Sequence, residues 1–256
     1  MLTATQAQTW VDRWDRQQER YLTDREERFA VIADVVEACA GRLDPLVIDI
    51  GCGPGSLAAR LLDRIPAASV VGIDADPLLL DLAARTYPAE RLRLVEADLR
   101  STSWTDRLAL PRPADAAVST TALHWLDRDQ LTATYAATAS LLRPGGVLIN
   151  GDHLFEGAGA PELDRLGRVV RSQRATRAGT DTGPGEDWEA WWAEVEAAPE
   201  LAALVERRAA WSSRHQVDAV PTYGDHVDLL RAAGFAEVGT IWQAGDDRVL
   251  IAIKPA

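Results

Sequence analysis

The stretch Val47-Ile48-Asp49-Ile50-Gly51-Cys52-Gly53-Pro54-Gly55 constrains this chain more than any other. An apolar, β-branched run enters glycines at alternate positions and leaves into a helical segment, read here as 54–65. Glycine at 51, 53 and 55 permits positive φ and brings bare peptide N–H groups to a helix N-terminus, where backbone cradles a ligand. The ligand is nucleotide-like, and a carboxylate narrows its class. Asp49 stands two residues ahead of the first glycine, where it repels a pyrophosphate but accepts hydrogen bonds from an ammonium group. The order D-x-G-x-G-x-G therefore departs from the G-x-G-x-x-G of dinucleotide folds.

The rest of the chain supplies the frame around that turn. Short apolar runs at 46–50, 69–74, 92–97, 114–119 and 146–150 alternate with helical stretches, one of which stops at Pro144-Gly145-Gly146. Alternation of this kind predicts an α/β fold, a doubly wound sheet covered on both faces with the carboxyl ends of its parallel strands along one edge. A helix at 225–233, stopped by Gly234, precedes two strands at 236–243 and 248–254, joined by Ala244-Gly245-Asp246-Asp247. Their antiparallel hairpin completes a seven-stranded, mostly parallel sheet.

Two helices precede the core. The first carries Trp10 and Trp14 on one face, and Thr23-Asp24 provides an N-cap for the second. Residues 152–222 break the alternation as a helical insertion between strands five and six. The chain divides into an N-terminal helical lid (1–40), a core (41–151), an acceptor cap (152–222) and a closing helix and hairpin (223–256).

Acids at consecutive strand ends complete the pattern. Asp74, with Ala75 beside it, ends strand two and suits both hydroxyls of a ribose. Asp98 ends strand three in Glu96-Ala97-Asp98-Leu99, where a carboxylate accepts from an adenine amino group and Leu99 packs on the base. Over residues 46–151 the glycine turn, Asp74 and Asp98 together resemble the class I methyltransferases that use S-adenosylmethionine, whose first motif reads much like Ile48 to Gly55.

That resemblance implies functions for particular residues. Backbone at Gly51, Cys52, Gly53 and Gly55 holds the amino-acid moiety of the cofactor, and the methyl group points toward Ser119-Thr120-Thr121-Ala122-Leu123-His124-Trp125. Thr120 reaches the cofactor, and Arg28 of the lid pairs with its carboxylate. His124 is the first titratable group near the reacting carbon, either a general base for a phenol or alcohol or, with Trp125, a wall that positions by contact. In the insertion Trp188, Trp191 and Trp192 stand at i, i+3 and i+4 and share a helix face. That face either packs the insertion onto the body or roofs an apolar acceptor, with His153, His215 and Tyr223 as polar contacts and the loop 178–185 as hinge.

Charge and composition exclude other partners. The net charge is −12 and basic residues form no stripe, which argues against nucleic acid and against an anionic membrane. Only Cys39 and Cys52 carry thiols, and no leader or long apolar run is visible, so a cytoplasmic protein is expected. The four histidines lack metal-ligand spacing, so no metal is expected.

The function expected is methyl transfer to a small-molecule acceptor, O- or carboxyl-directed, by a monomer or homodimer. A place in bacterial secondary metabolism is suggested by the resemblance and by the arginine- and alanine-rich composition. The alternatives are a nicotinamide oxidoreductase on a related sheet, and a protein of this fold that binds S-adenosylmethionine without methylating.

Overall fold

The computed structural model describes residues 2–180, 185–212 and 220–256. The apolar runs become β1 (Leu46–Ile50), β2 (Ser69–Asp74), β3 (Leu92–Glu96), β4 (Ala114–Thr120) and β5 (Leu142–His153). These pair in parallel, with Ile48 level with Val71 on one side and Ala117 on the other. The hairpin is β6 (Glu237–Ala244) and β7 (Asp247–Ile253), and β7 lies between β5 and β6, antiparallel to both. The order is β3-β2-β1-β4-β5-β7-β6, which reverses direction between β1 and β4. Crevices at such reversals are where open α/β sheets bind ligands.

Side-chain alternation divides the core into two layers. Phe29, Ile32 and Val36 of α2 (Arg25–Ala40), with Leu57 and Leu61 of α3 (Ser56–Arg64), pack on Val47, Val118 and Val147. On the other face α5 (Arg128–Leu141) and α9 (Tyr223–Ala232) bring Leu131, Tyr135 and Leu230 against Ile48, Ala117 and Leu148. Period two along β5 then turns Asn150 and Asp152 to the α5/α9 side.

A third cluster lies where α1 (Ala4–Gln18) meets α4 (Pro77–Thr86). Trp10 and Val11 pack there with Leu78 and Leu82.

The insertion straddles the carboxyl edge of the sheet. Its first helix, α6 (Pro161–Ala178), docks at the hairpin end through Arg171, 3.1 Å from Asp246, and Arg174, which grips both oxygens of Asp24 at 2.7 and 2.8 Å. Helices α7 (Trp188–Ala197) and α8 (Ala202–Ser212) settle at the opposite end. There Trp191 stacks edgewise on Trp10 and Trp14, and Arg208 bonds Asp76 at 2.7 Å.

Two local expectations change. Pro144-Gly145-Gly146 does stop a helix, yet β5 already begins at Leu142, because Leu142 pairs with Ala114 and the turn backbone bonds to residues 254 and 255. Asp24 occupies the N-cap position of α2 but caps nothing, since Arg174 takes its carboxylate. Residues 181–184 of the expected hinge, and His215, lie outside the described residues.

Candidate active site

The glycine turn hangs from β2 by backbone bonds, the Gly51 and Cys52 amides donating to the Ile73 carbonyl at 2.8 and 2.9 Å. Gly51, Gly53 and Gly55 all have positive φ, at 71°, 53° and 85°. At Gly51 the need is steric as well: a Cβ would sit 2.3 Å from the Cβ of Ala122, so the turn leans directly on the loop after β4. Asp74 braces the same turn, its carboxylate accepting from the Gly53 amide at 2.7 Å and from the Asp76 amide at 2.8 Å. Burial nevertheless raises its pKa to about 6, those two amides opposing the rise.

Asp49 is the anomaly. It is 0 % exposed, faces the α2/α3 side below the start of α3, and neither oxygen is engaged in a hydrogen bond of ordinary geometry. Burial, with the charge of Asp74 adding to it, pushes its pKa to about 7 against the pull of the Ala58 amide. A buried carboxylate without a partner is costly, and it becomes favourable only when a cation or donor arrives. The donor set therefore fits an ammonium-bearing ligand.

The second half of the site follows β4. Thr121 is a non-glycine residue at φ 48°, in the left-handed region, where strain of this kind accompanies functional loops. Its amide is held by the Gly151 carbonyl at 3.0 Å. Past it, a single 3-10 turn carries His124, whose Nδ1 lies 2.9 and 3.0 Å from the two oxygens of Asp152 at the end of β5. Burial disfavours the imidazolium, but the charge and hydrogen bond of Asp152 outweigh it and hold the His124 pKa above its ordinary value. Burial likewise disfavours the Asp152 anion, yet His124 and then Arg28 bring its pKa down to about 2.

Arg28 reaches this place from α2 because Gly151 makes room; a Cβ there would lie 2.6 Å from the arginine Cδ. Its guanidinium donates to Thr120 Oγ1 at 3.1 Å and the Gly151 carbonyl at 3.0 Å, and pairs with Asp247. Its Nε is buried without a partner.

Residues 47–146 match the profile of a family described as a methyltransferase domain. They contain both the glycine turn and the loop that bears His124. This segment is similar to a methyltransferase domain. Among curated relatives, the trans-aconitate 2-methyltransferase of Azoarcus sp. (strain BH72) is 35% identical over 135 residues, 53% of this chain and 49% of that one. That of Escherichia coli O139:H28 is 39% identical over 103 residues, 40% of this chain and 36% of that one. The chain thus spans about half or less of the length of the curated relatives it matches.

Solved structures share the fold at low identity. Magnesium protoporphyrin IX methyltransferase from Synechocystis PCC 6803, with bound SAH, superposes with a TM-score of 0.55 at 19% identity, covering 96% of this chain and 94% of that one. Human N-acetylserotonin methyltransferase in complex with SAM gives a TM-score of 0.52 at 17% identity, over 94% of this chain and 57% of that one.

Within and around the matched segment the structure gathers some of the residues singled out by sequence and separates others. Ala97 is tied to β2 through the Asp74 carbonyl at 2.9 Å. Asp98 is held by Arg100 at 2.6 Å, and Leu99 packs on the α5/α9 core. Trp125 is 52% exposed, its ring 5.1 Å from that of His124. Cys52 is buried, and a Cβ on Gly72 would lie 2.9 Å from its Sγ.

His153 stands at the end of β5, 3.5 Å from Asp246. Trp192 and Trp188 lie instead at the α1/α4 end, Trp192 buried under Arg208 and Trp188 half exposed. Tyr223 contacts the hairpin, its hydroxyl 3.2 Å from Thr240 and its ring beneath Arg248.

Asp152 is the residue that sequence reasoning missed as part of the site. It follows His124 by 28 positions, and only the pairing of β4 with β5 brings them together. Its one sequence signal is its place at a strand end.

Proposed function

We propose that this protein is an S-adenosylmethionine-dependent methyltransferase acting on a small molecule, with a carboxylate as the favoured acceptor group. The observation that carries the reading is Asp49, a buried, unpartnered carboxylate beside the glycine turn with Asp74 next to it. Such a pair attracts an ammonium and a sulfonium and repels a pyrophosphate, which counts against the nicotinamide alternative. In this reading Asp49 receives the ammonium of the amino-acid moiety, the backbone of Gly51, Cys52, Gly53 and Gly55, whose amides are engaged within the turn and with β2, cradles it by shape, and Arg28 and Thr120 stand on its carboxylate side. Asp74 and Ala75 take the ribose, while Ala97, Asp98 and Leu99 take the adenine. The cofactor, when bound, supplies an activated methyl group for in-line displacement.

The chain's own contribution is alignment and exclusion of water. Asp152 engages Nδ1 of His124, which leaves Nε2 for the acceptor. As an imidazolium that nitrogen donates a charge-assisted hydrogen bond to a carboxylate, which arrives ionised and needs no base. The names of the curated relatives point to the same acceptor chemistry. Trp125 supplies an apolar wall beside it, and the lid (1–40) with the insertion (152–222), His153, Trp188 and Trp192 included, forms the cap, which Tyr223 of α9 adjoins through the Phe155 carbonyl. The two free thiols support a cytoplasmic setting, and the acidic balance of the chain supports a partner other than nucleic acid or membrane. Among the described residues no helix is long and apolar enough to cross a membrane.

The test is incubation of purified protein with S-adenosylmethionine and a panel of di- and tricarboxylates and phenols, followed by product mass analysis. A gain of one methylene with release of S-adenosylhomocysteine is the expected result. Calorimetric binding of NADH with none of S-adenosylmethionine overturns the reading. The pH profile then assigns His124. A histidine that holds a carboxylate as a cation loses activity as pH rises through its pKa, which lies above the ordinary imidazole value, whereas a general base gains activity over the same range.

A further inference from the structure

Two polar side chains that the proposed reaction does not use lie in the apolar layer between the sheet and helices α5 and α9. Tyr135 of α5 and His226 of α9 are 0% and 1% exposed, and the tyrosine hydroxyl lies 2.6 Å from His226 Nδ1. Tyr135 shares one core cluster with Leu123 and Leu126, which bracket His124 in sequence, and with Leu154, two residues beyond Asp152. Alternation along β5 turns Asp152 into this same layer. The hydroxyl and imidazole therefore lie behind the His124–Asp152 pair, on the side away from solvent.

The surroundings fix where the protons sit. Burial, with Asp152 adding to it, raises the Tyr135 phenol well above its ordinary value, so the hydroxyl keeps its proton. Burial lowers His226 to about 4, against the pull of Asp152 and Asp225 and together with the charge of His124, so the ring is neutral near pH 7. A neutral imidazole has one donor and one acceptor nitrogen. If the phenol donates to Nδ1, the ring proton resides on Nε2, a buried atom without a partner. Asp152 feels His124, Arg28 of α2 and its neighbour His153 as its other charges. An uncharged His226 adds a dipole near that carboxylate without adding a cation that competes with His124 for it.

We infer that Tyr135 and His226 are positioning residues that act on His124 through Asp152. Tyr135 locks the tautomer of His226, and the locked neutral ring leaves the charge of Asp152 committed to His124. The inference rests on the reading of His124 as the group that faces the acceptor, but its test needs neither cofactor nor acceptor.

The experiment is an imidazole NMR titration of the full chain, wild type beside Tyr135→Phe and His226→Phe, with melting temperatures measured in parallel. In the wild type His226 stays neutral, with its proton on Nε2, to below pH 5. In each variant the His124 midpoint moves by about 0.5 pH units or more. A merely structural pair lowers the melting temperature and leaves the His124 midpoint in place, and that result overturns the inference. So does a wild-type His226 that titrates at the ordinary imidazole value. Should His226→Phe fail to fold, Tyr135→Phe, which removes a single oxygen, and the wild-type titration decide between the two outcomes. If no acceptor is methylated and His124 still moves in Tyr135→Phe, the proposed function fails while this inference stands; the reverse pattern separates them the other way.

Discussion

Asp49 and Asp152 are the same residue at the ends of two strands of one sheet, both buried, and their chemistry runs in opposite directions. Asp49 on β1 has no ordinary hydrogen bond and a pKa raised to about 7. Asp152 on β5 holds His124 and lies near the charge of Arg28, which brings its pKa to about 2. Burial alone raises both, so the difference is supplied by neighbours. A carboxylate that the chain neutralises internally organises another residue. One that the chain leaves unpaired is disposed to receive a cation from outside. One edge of the sheet thus carries a prepared group and an expectant one, separated by β4.

The comparison breaks most visibly at Asp152. Asp152→Asn keeps the shape and removes the charge, so the His124 pKa falls and turnover drops by about 100-fold or more, with cofactor affinity nearly unchanged. Steady-state kinetics beside calorimetry check this, and equal losses in both place Asp152 among the cofactor ligands instead. Asp49→Asn gives the converse. Cofactor affinity falls about 10- to 100-fold, the loss of a charged hydrogen bond, while the unliganded protein becomes more stable. Calorimetry and thermal melts read both, and a variant that loses stability shows that Asp49 is already satisfied within the chain.

The smallest effect is in the wild type. Because the folded pKa of Asp49 is raised above its unfolded value of about 3.9, the folded state binds more protons, and stability falls as pH rises from about 4 to 7. Asp74, raised to about 6, adds to the same slope. The unliganded protein should melt several degrees higher at pH 5 than at pH 8, and saturating cofactor should shrink the difference. A flat profile without ligand contradicts the raised pKa.

Much of this was legible in the sequence where the information is local. The β-branched runs, the glycine turn and the acids at 74 and 98 follow from neighbours within a few residues, and so did the hairpin around Gly245. The tryptophan face at 188, 191 and 192 was legible as a face, but its direction was not. The structure turns Trp191 and Trp192 onto α1 and α4, because Trp10 and Trp14 offer an apolar partner there. Asp24 looked like a cap until an arginine 150 positions away claimed it. His124 with Asp152, and Tyr135 with His226, are pairings of distant positions made by strand order and helix packing, and no spacing rule encodes them.

The junction of Arg28 with Asp247 joins two residues 219 positions apart, one on an early helix and one at the first position of the final strand. Because β7 runs against its neighbours, it delivers its opening residue, rather than its tail, to the working rim of the sheet. Removal of that last strand would therefore strip a counter-charge from the heart of the molecule and leave a guanidinium stranded beside Thr120. Damage to that one strand would register first at the chemistry of the rim.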